Sequence, residues 1–140
     1  MSNAHVMMPP LYTEEEVRML SPLELAYIGD TAYEMLVRVD CLKKGGTVAS
    51  LHKRAVTMVN ATAQAEAVTR ILSTLTKNEE DIFKRGRNAH PKHKSPKGAT
   101  TAQYAWSTGF EALIGYLYLQ GDYARIDELF SLIQTEPTTK

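Results

Sequence analysis

Two carboxylates stand where carboxylates are costly. Asp30 follows Gly29 within the run Leu25-Ala26-Tyr27-Ile28-Gly29-Asp30, and Glu111 sits within Thr108-Gly109-Phe110-Glu111-Ala112-Leu113-Ile114-Gly115. A glycine costs a helix about 1 kcal/mol relative to alanine, and an acid buried without a partner costs more. No basic residue lies from Leu25 to Val37 or from Thr101 to Gln120, so neither acid has a cationic partner on its own segment. Hard divalent cations take carboxylate oxygens, and Mg²⁺ binds through one or two of them plus waters and phosphates. Asp30 and Glu111 converging from different helices would make such a site. The competing reading is that each acid is neutralised by a base elsewhere in the chain, or caps a neighbouring helix. The flanking glycines would let a substrate or another helix backbone come close. Tyr27, Asp30 and Glu34 are spaced three and four apart and share one helix face.

A second feature lies between the two acids. From Ile82 to Phe110 there is no Asp or Glu, while Lys84, Arg85, Arg87, Lys92, Lys94 and Lys97 all fall inside. Pro91, Pro96, Gly86, Gly98 and Asn88 interrupt this stretch, which predicts an irregular loop in its middle. Such a run reads either as a solvated loop or as a phosphate-binding arm to which His90 and His93 add donors.

The elements that would position these groups read as helices. Ser21-Pro22-Leu23-Glu24 combines a cap, a proline suited to the first helical position and the acid of a capping box. It predicts a buried central helix from about Pro22 to Val39, ending near Asp40-Cys41. A second helix is predicted from about Val48 or Ser50 to Leu72, with Leu51, Ala55, Met58, Val59, Ala63 and Ala67 spaced for burial. Thr76 and Glu79 form another capping box, starting a helix that ends near Arg85-Gly86. Further helices run from about Thr101 to Gln120, closed by Gly121, and from an Asp122 cap to about Ile133. Thr13 caps a short helix towards Leu20, with Glu14, Glu15 and Glu16 at the positive end of its dipole. No strand-like alternation and no repeat is visible, so the expectation is an all-α domain.

Composition bounds the rest. The chain has 140 residues, 16 Lys+Arg and 16 Asp+Glu, hence zero formal net charge. That length suits one domain with a real core. The longest uncharged apolar run, Ala112 to Leu119, is too short for a bilayer, and no secretory signal is seen in the first dozen residues. No membrane association is expected. One cysteine, Cys41, excludes an internal disulfide framework or a multi-cysteine zinc site. Zero net charge argues against a nucleic-acid binder only until the distribution is considered: Ile82–Phe110 carries +6 and the remainder −6.

The runs Leu25-Ala26-Tyr27-Ile28-Gly29-Asp30-Thr31-Ala32-Tyr33-Glu34 and Thr108–Leu119 resemble the two signature helices of ribonuclease III endonuclease domains. Leu51-His52-Lys53-Arg54-Ala55 and Lys84-Arg85-Gly86-Arg87-Asn88-Ala89 resemble the mini-ribonuclease III branch, which consists of the catalytic domain alone. The resemblance runs from about Ser21 to Leu132 in the same order.

It implies the all-α ribonuclease III endonuclease-domain fold, assembled as a homodimer, cutting double-stranded RNA with Mg²⁺ to leave 5′-phosphate and 3′-hydroxyl ends. It further implies a cytoplasmic role in maturing the precursor of large-subunit (23S) ribosomal RNA, with a ribosomal protein as a possible helper. The family aspartate falls on Asp30 and the family glutamate on Glu111, as catalytic residues and metal ligands. Larger members carry two more acids, where this chain has Ala26 and Thr108; the mini branch lacks them too. Waters, phosphate oxygens or Glu34 would then complete the coordination, with Glu34 either orienting a metal-bound water or sitting satisfied elsewhere. Lys53, Arg54, Lys84, Arg85, Arg87, Asn88, Lys92, Lys94 and Lys97 become the RNA-contacting surface. The expected organisation is a flexible segment over 1–12, a catalytic domain over 13–134 and a tail over 135–140. A silent RNA-binding or ribosome-associated module of the same fold is the alternative, which retention of both Asp30 and Glu111 argues against.

Overall fold

The computed structural model describes residues 11–89 and 98–134, and among these residues seven helices follow one another. They are α1 (Glu14–Arg18), α2 (Pro22–Lys44), α3 (Val48–Val59), α4 (Ala61–Ile71), α5 (Lys77–Asn88), α6 (Thr101–Leu119) and α7 (Tyr123–Gln134), with a 3-10 turn at Leu72–Thr74 before α5. No strand occurs among the described residues, and the fold is all-α. The starts obey local chemistry. Thr13, Ser21, Thr76 and Thr100 each accept a hydrogen bond from the backbone three residues on, and Glu16, Glu24, Glu79 and Gln103 reach back to complete four capping boxes.

Three helix bounds need correction. Helix α2 passes Asp40-Cys41 by a full turn and stops at Gly45, whose φ of 85° ends it. Cys41 therefore lies inside the helix and is buried in the core. The long second helix is two helices. Asn60 ends α3 and caps α4, accepting from the Ala63 N–H while its own amide donates to the Val56 carbonyl. Helix α5 runs through Gly86 to Asn88, so Lys84, Arg85, Arg87 and Asn88 are helical rather than part of a loop.

The central buried helix is α6, not α2. From Ser107 to Leu119 nearly every α6 side chain is buried, whereas α2 buries one stripe, Leu25, Ala26, Gly29, Tyr33, Val37 and Cys41. Its opposite side leaves Tyr27, Met35 and Leu42 exposed. Tyr33 anchors the core with its ring edge-on to Phe110 at 4.8 Å and to Phe130 at 6.0 Å. Arg125 of α7 ties α5 in place: its guanidinium donates to both oxygens of buried Glu79 at 2.9 Å and to the Thr74 carbonyl at 2.8 Å.

Glycines set how close the helices come. A β-carbon on Gly29 would overlap the Glu111 carbonyl oxygen, and one on Gly115 would overlap the Leu25 carbonyl oxygen. The α2 and α6 backbones therefore touch through two reciprocal glycines. Likewise a β-carbon on Gly86 would lie 2.9 Å from the Gly109 Cα and 2.8 Å from the Ala112 Cβ, seating α5 on α6. It is a helix backbone that these glycines admit. At Leu11 and Tyr12, within the segment expected to be flexible, both backbone N–H groups donate to the Leu119 carbonyl at 3.1 Å.

Candidate active site

The Gly29–Gly115 contact fixes the chemistry, because Asp30 is the residue after Gly29 and Glu111 lies one turn before Gly115. The two carboxylates face one cleft, close enough for the Asp30 charge to act on Glu111. Asp30 is exposed rather than buried, which corrects the expectation of two acids enclosed in apolar helices; Glu111 is partly buried. Burial pushes the Glu111 carboxyl up first, the Asp30 charge and the hydrogen bond with Asp30 push it further, and the Gln64 amide opposes them, leaving it at about 8. Two acids that repel in this way, with no intervening base, have the electrostatics of an oxygen-ligand site for a dication.

They open onto a cleft of about 800 Å³ between α2, the α3–α4 junction, α6 and the Gly98-Ala99 segment. Asp30 and Glu111 form one wall; Asn60, Gln64, Tyr104 and Ser107 also line it. Burial and the Glu111 charge both raise the Tyr104 hydroxyl pKa. Gln64 is 1% exposed and Ser107 is 4% exposed, and the Ser107 hydroxyl donates to the Gln64 Oε1 at 2.5 Å. The Gln64 Nε2 has no hydrogen bond, although the amide stands against the Glu111 carboxylate. No group of three or more His, Cys, Asp or Glu capable of holding a metal occurs among the described residues. The donor set is thus two carboxylates in an open, polar cleft. That fits Mg²⁺, which keeps several waters and takes only one or two protein carboxylates.

Gln64 escaped sequence reading, but a signal was there. Gln64, Ala67, Val68 and Ile71 fall at offsets of zero, three, four and seven, and all four are buried. A glutamine on that stripe occupies a core position.

The other predicted residues fall elsewhere. Glu34 is engaged by Arg38, which donates from Nε at 3.0 Å and from its terminal nitrogen at 2.7 Å. Lys53 is exposed on α3. The Arg54 guanidinium donates to the Gly45 carbonyl and closes the α2–α3 connection. On α5, Lys84 pairs with Glu80 at 3.2 Å and Arg85 is exposed. The Arg87 Nε donates to the exposed Asn88 Oδ1 at 3.1 Å, and its guanidinium lies over the Phe83 ring, 5.9 Å from the centroid. None of these residues lines the cleft. The Gly86 contact instead places their end of α5 beside the α6 segment leading into Glu111. Lys92, Lys94, Lys97, His90 and His93 lie outside the described residues.

Known proteins share this fold. The ribonuclease III domain profile matches residues 23–122, spanning both carboxylates and the cleft. A Mini-ribonuclease 3 from Thermoanaerobacter sp. is 46% identical over 123 residues, covering 87% of this chain and 86% of that protein. A Mini-ribonuclease 3 from Symbiobacterium thermophilum is 50% identical over 111 residues, covering 79% and 85%. A crystal structure of a Fusobacterium nucleatum protein superposes with a TM-score of 0.76 at 30% identity, covering 84% of this chain and 90% of that one. With the match spanning the helices that carry Asp30 and Glu111, the chain belongs to the ribonuclease III domain family.

Proposed function

We propose that the protein is a Mg²⁺-dependent endoribonuclease that cleaves double-stranded RNA, acting on the 23S ribosomal RNA precursor in the cytoplasm. The observation that carries this reading is the Asp30–Glu111 pair, meeting from two helices at the wall of an open cleft in a ribonuclease III-family chain. Asp30 and Glu111 would hold the cation. The chemistry a bound Mg²⁺ supplies is activation of the attacking water and neutralisation of charge on the departing 3′-oxygen. The carboxylates' part is to be ionised when the cation binds and to be held in place, the second of which the glycine-mediated contact between α2 and α6 provides. Phosphate oxygens and waters would have to complete the coordination, since Ala26 and Thr108 contribute no carboxylate. The products carry 5′-phosphate and 3′-hydroxyl ends.

Two cuts on opposite strands need two sites, and a two-fold dimer supplies them. The α2 surface favours such a dimer: Met35 and Val39, both exposed, line an apolar groove of about 420 Å³ with Ile28, Tyr118 and Tyr123. A-form RNA is recognised by shape and backbone, for which the cations from Lys84 through Lys97, with Lys53 and Arg54, are suited. A ribosomal protein would act as a helper by presenting the precursor in the required shape.

Incubating the protein with duplex RNA and Mg²⁺, alongside Asp30→Asn and Glu111→Gln, tests the reading. Cleavage by the unsubstituted protein alone is expected, with 5′-phosphorylated products. Duplex RNA bound but left intact by all three would instead establish a silent RNA-binding module, the reading that Ala26 and Thr108 would fit if Asp30 and Glu111 were not both retained.

A further inference from the structure

Gln64 is enclosed in the wall of the cleft with one end of its amide satisfied and the other not. Its Oε1 accepts from Ser107, and its Nε2 is a buried donor with no hydrogen bond. Leaving a buried amide donor unmade costs about 1–3 kcal/mol, which an apolar residue at this position on the α4 stripe would avoid. The amide faces the Glu111 carboxylate, and both residues line the same space as Asp30. The two ends of an amide are not interchangeable here. A hydroxyl donates to the oxygen, so Ser107 holds Gln64 with its N–H₂ directed at Glu111. Ser107 is itself one turn before Glu111 on α6, so the same helix carries the acid and the group that orients its neighbour.

We infer that Gln64 is a positioning residue for Glu111: its unpartnered Nε2 is the donor that would hold one oxygen of the ionised carboxylate when a divalent cation binds, leaving the other turned towards Asp30. The inference rests on the nuclease reading of the site. Donors behind a metal-binding carboxylate fix its orientation, and their loss typically weakens metal affinity roughly ten-fold or more. Gln64→Met keeps the length and burial of the side chain and removes the donor. Ser107→Ala keeps Gln64 and releases its orientation, and it serves if Gln64→Met fails to fold.

The test is the affinity of the RNA-free protein for Mn²⁺, measured by calorimetry, together with duplex RNA binding in EDTA. Gln64→Met is expected to weaken Mn²⁺ binding roughly ten-fold, and Ser107→Ala by a smaller factor, with RNA binding in EDTA unchanged. In a Glu111→Gln background, Gln64→Met should produce no further weakening, because the two residues act as one unit. Wild-type Mn²⁺ affinity in both Gln64→Met and Ser107→Ala would overturn the inference while leaving the nuclease reading intact. An equal loss with and without Glu111 would also overturn it. Failure of the unsubstituted protein both to bind Mn²⁺ and to cut duplex RNA would overturn the nuclease reading, and this inference with it.

Discussion

At the scale of single residues, the fold holds an acid at a cost to itself. Glu111 has a carboxyl pushed from an ordinary 4.5 up to about 8, by burial and by Asp30. Below pH 4.5 it is protonated in folded and unfolded chains alike and contributes nothing to pH dependence. Between 4.5 and 8 the unfolded chain gives up the proton while the folded chain keeps it, so stability falls as pH rises. Without divalent cations, Glu111→Gln should therefore stabilise the protein at pH 8, by about 2 kcal/mol, with the gain vanishing near pH 4. Chemical denaturation in EDTA at the two pH values checks this; equal stability at pH 8 would show that burial and the Asp30 charge do not oppose ionisation of Glu111. The same proton must leave when a dication binds, so metal affinity should rise with pH up to about 8. Glu79 shows the opposite balance. Burial alone would raise its carboxyl, but the hydrogen bonds from Arg125 and Thr76 and the Arg125 charge outweigh that and hold it below 4.5. Its contribution is present above 4.5 and is lost as pH falls through the lowered value. Arg125→Ala leaves that acid buried and unpaired, so a loss of about 3 kcal/mol at pH 7, shrinking in acid, is expected from denaturation.

At the scale of elements, the site is a consequence of how closely α2 and α6 approach. Gly29→Ala would drive a methyl group into the Glu111 carbonyl, and the helices would have to part. The expected cost is about 3 kcal/mol, with loss of divalent binding; a variant of unchanged stability and Mn²⁺ affinity would show that this contact does not set the site. Much of this level was legible in the sequence. The capping boxes at Ser21 and Thr76 name their own helix starts, and Asp30 and Glu111 announce themselves as acids on segments without bases. Helix ends were less legible, because packing overrides propensity there. Gly86 has the sequence signature of a terminator, yet α5 continues through it, since its missing side chain is what seats α5 on Gly109 and Ala112. Asn60 lies within unbroken apolar periodicity, and only its two-sided hydrogen bonding reveals that one helix stops and another starts. Gln64 could not be assigned a partner from sequence, because Ser107 and Glu111 reach it through tertiary packing alone.

At the scale of the whole molecule, zero net charge conceals a separation of duties. The stretch between the two carboxylate-bearing helices carries the excess of cations, and the rest of the chain balances it. A protein that grips RNA through these groups should bind with steep salt dependence. Replacing Arg85, Arg87, Lys92 and Lys94 together should weaken duplex binding and reduce the slope of log affinity against log salt by about 3. An unchanged slope would remove this stretch from the RNA surface. No helix among the described residues is long and apolar enough to cross a membrane. In the proposed two-fold dimer the apolar α2 groove takes a second copy of the chain, and concentration-dependent sedimentation is expected to show that dimer. The central claim is that Asp30 and Glu111 together make a site for cutting duplex RNA. Single-turnover cleavage of a duplex RNA in Mg²⁺, by the unsubstituted protein and by Glu111→Gln at concentrations where both bind it fully, tests this most directly. The account predicts cleavage by the first and a loss of roughly a hundred-fold or more in the second; equal cleavage rates would contradict it.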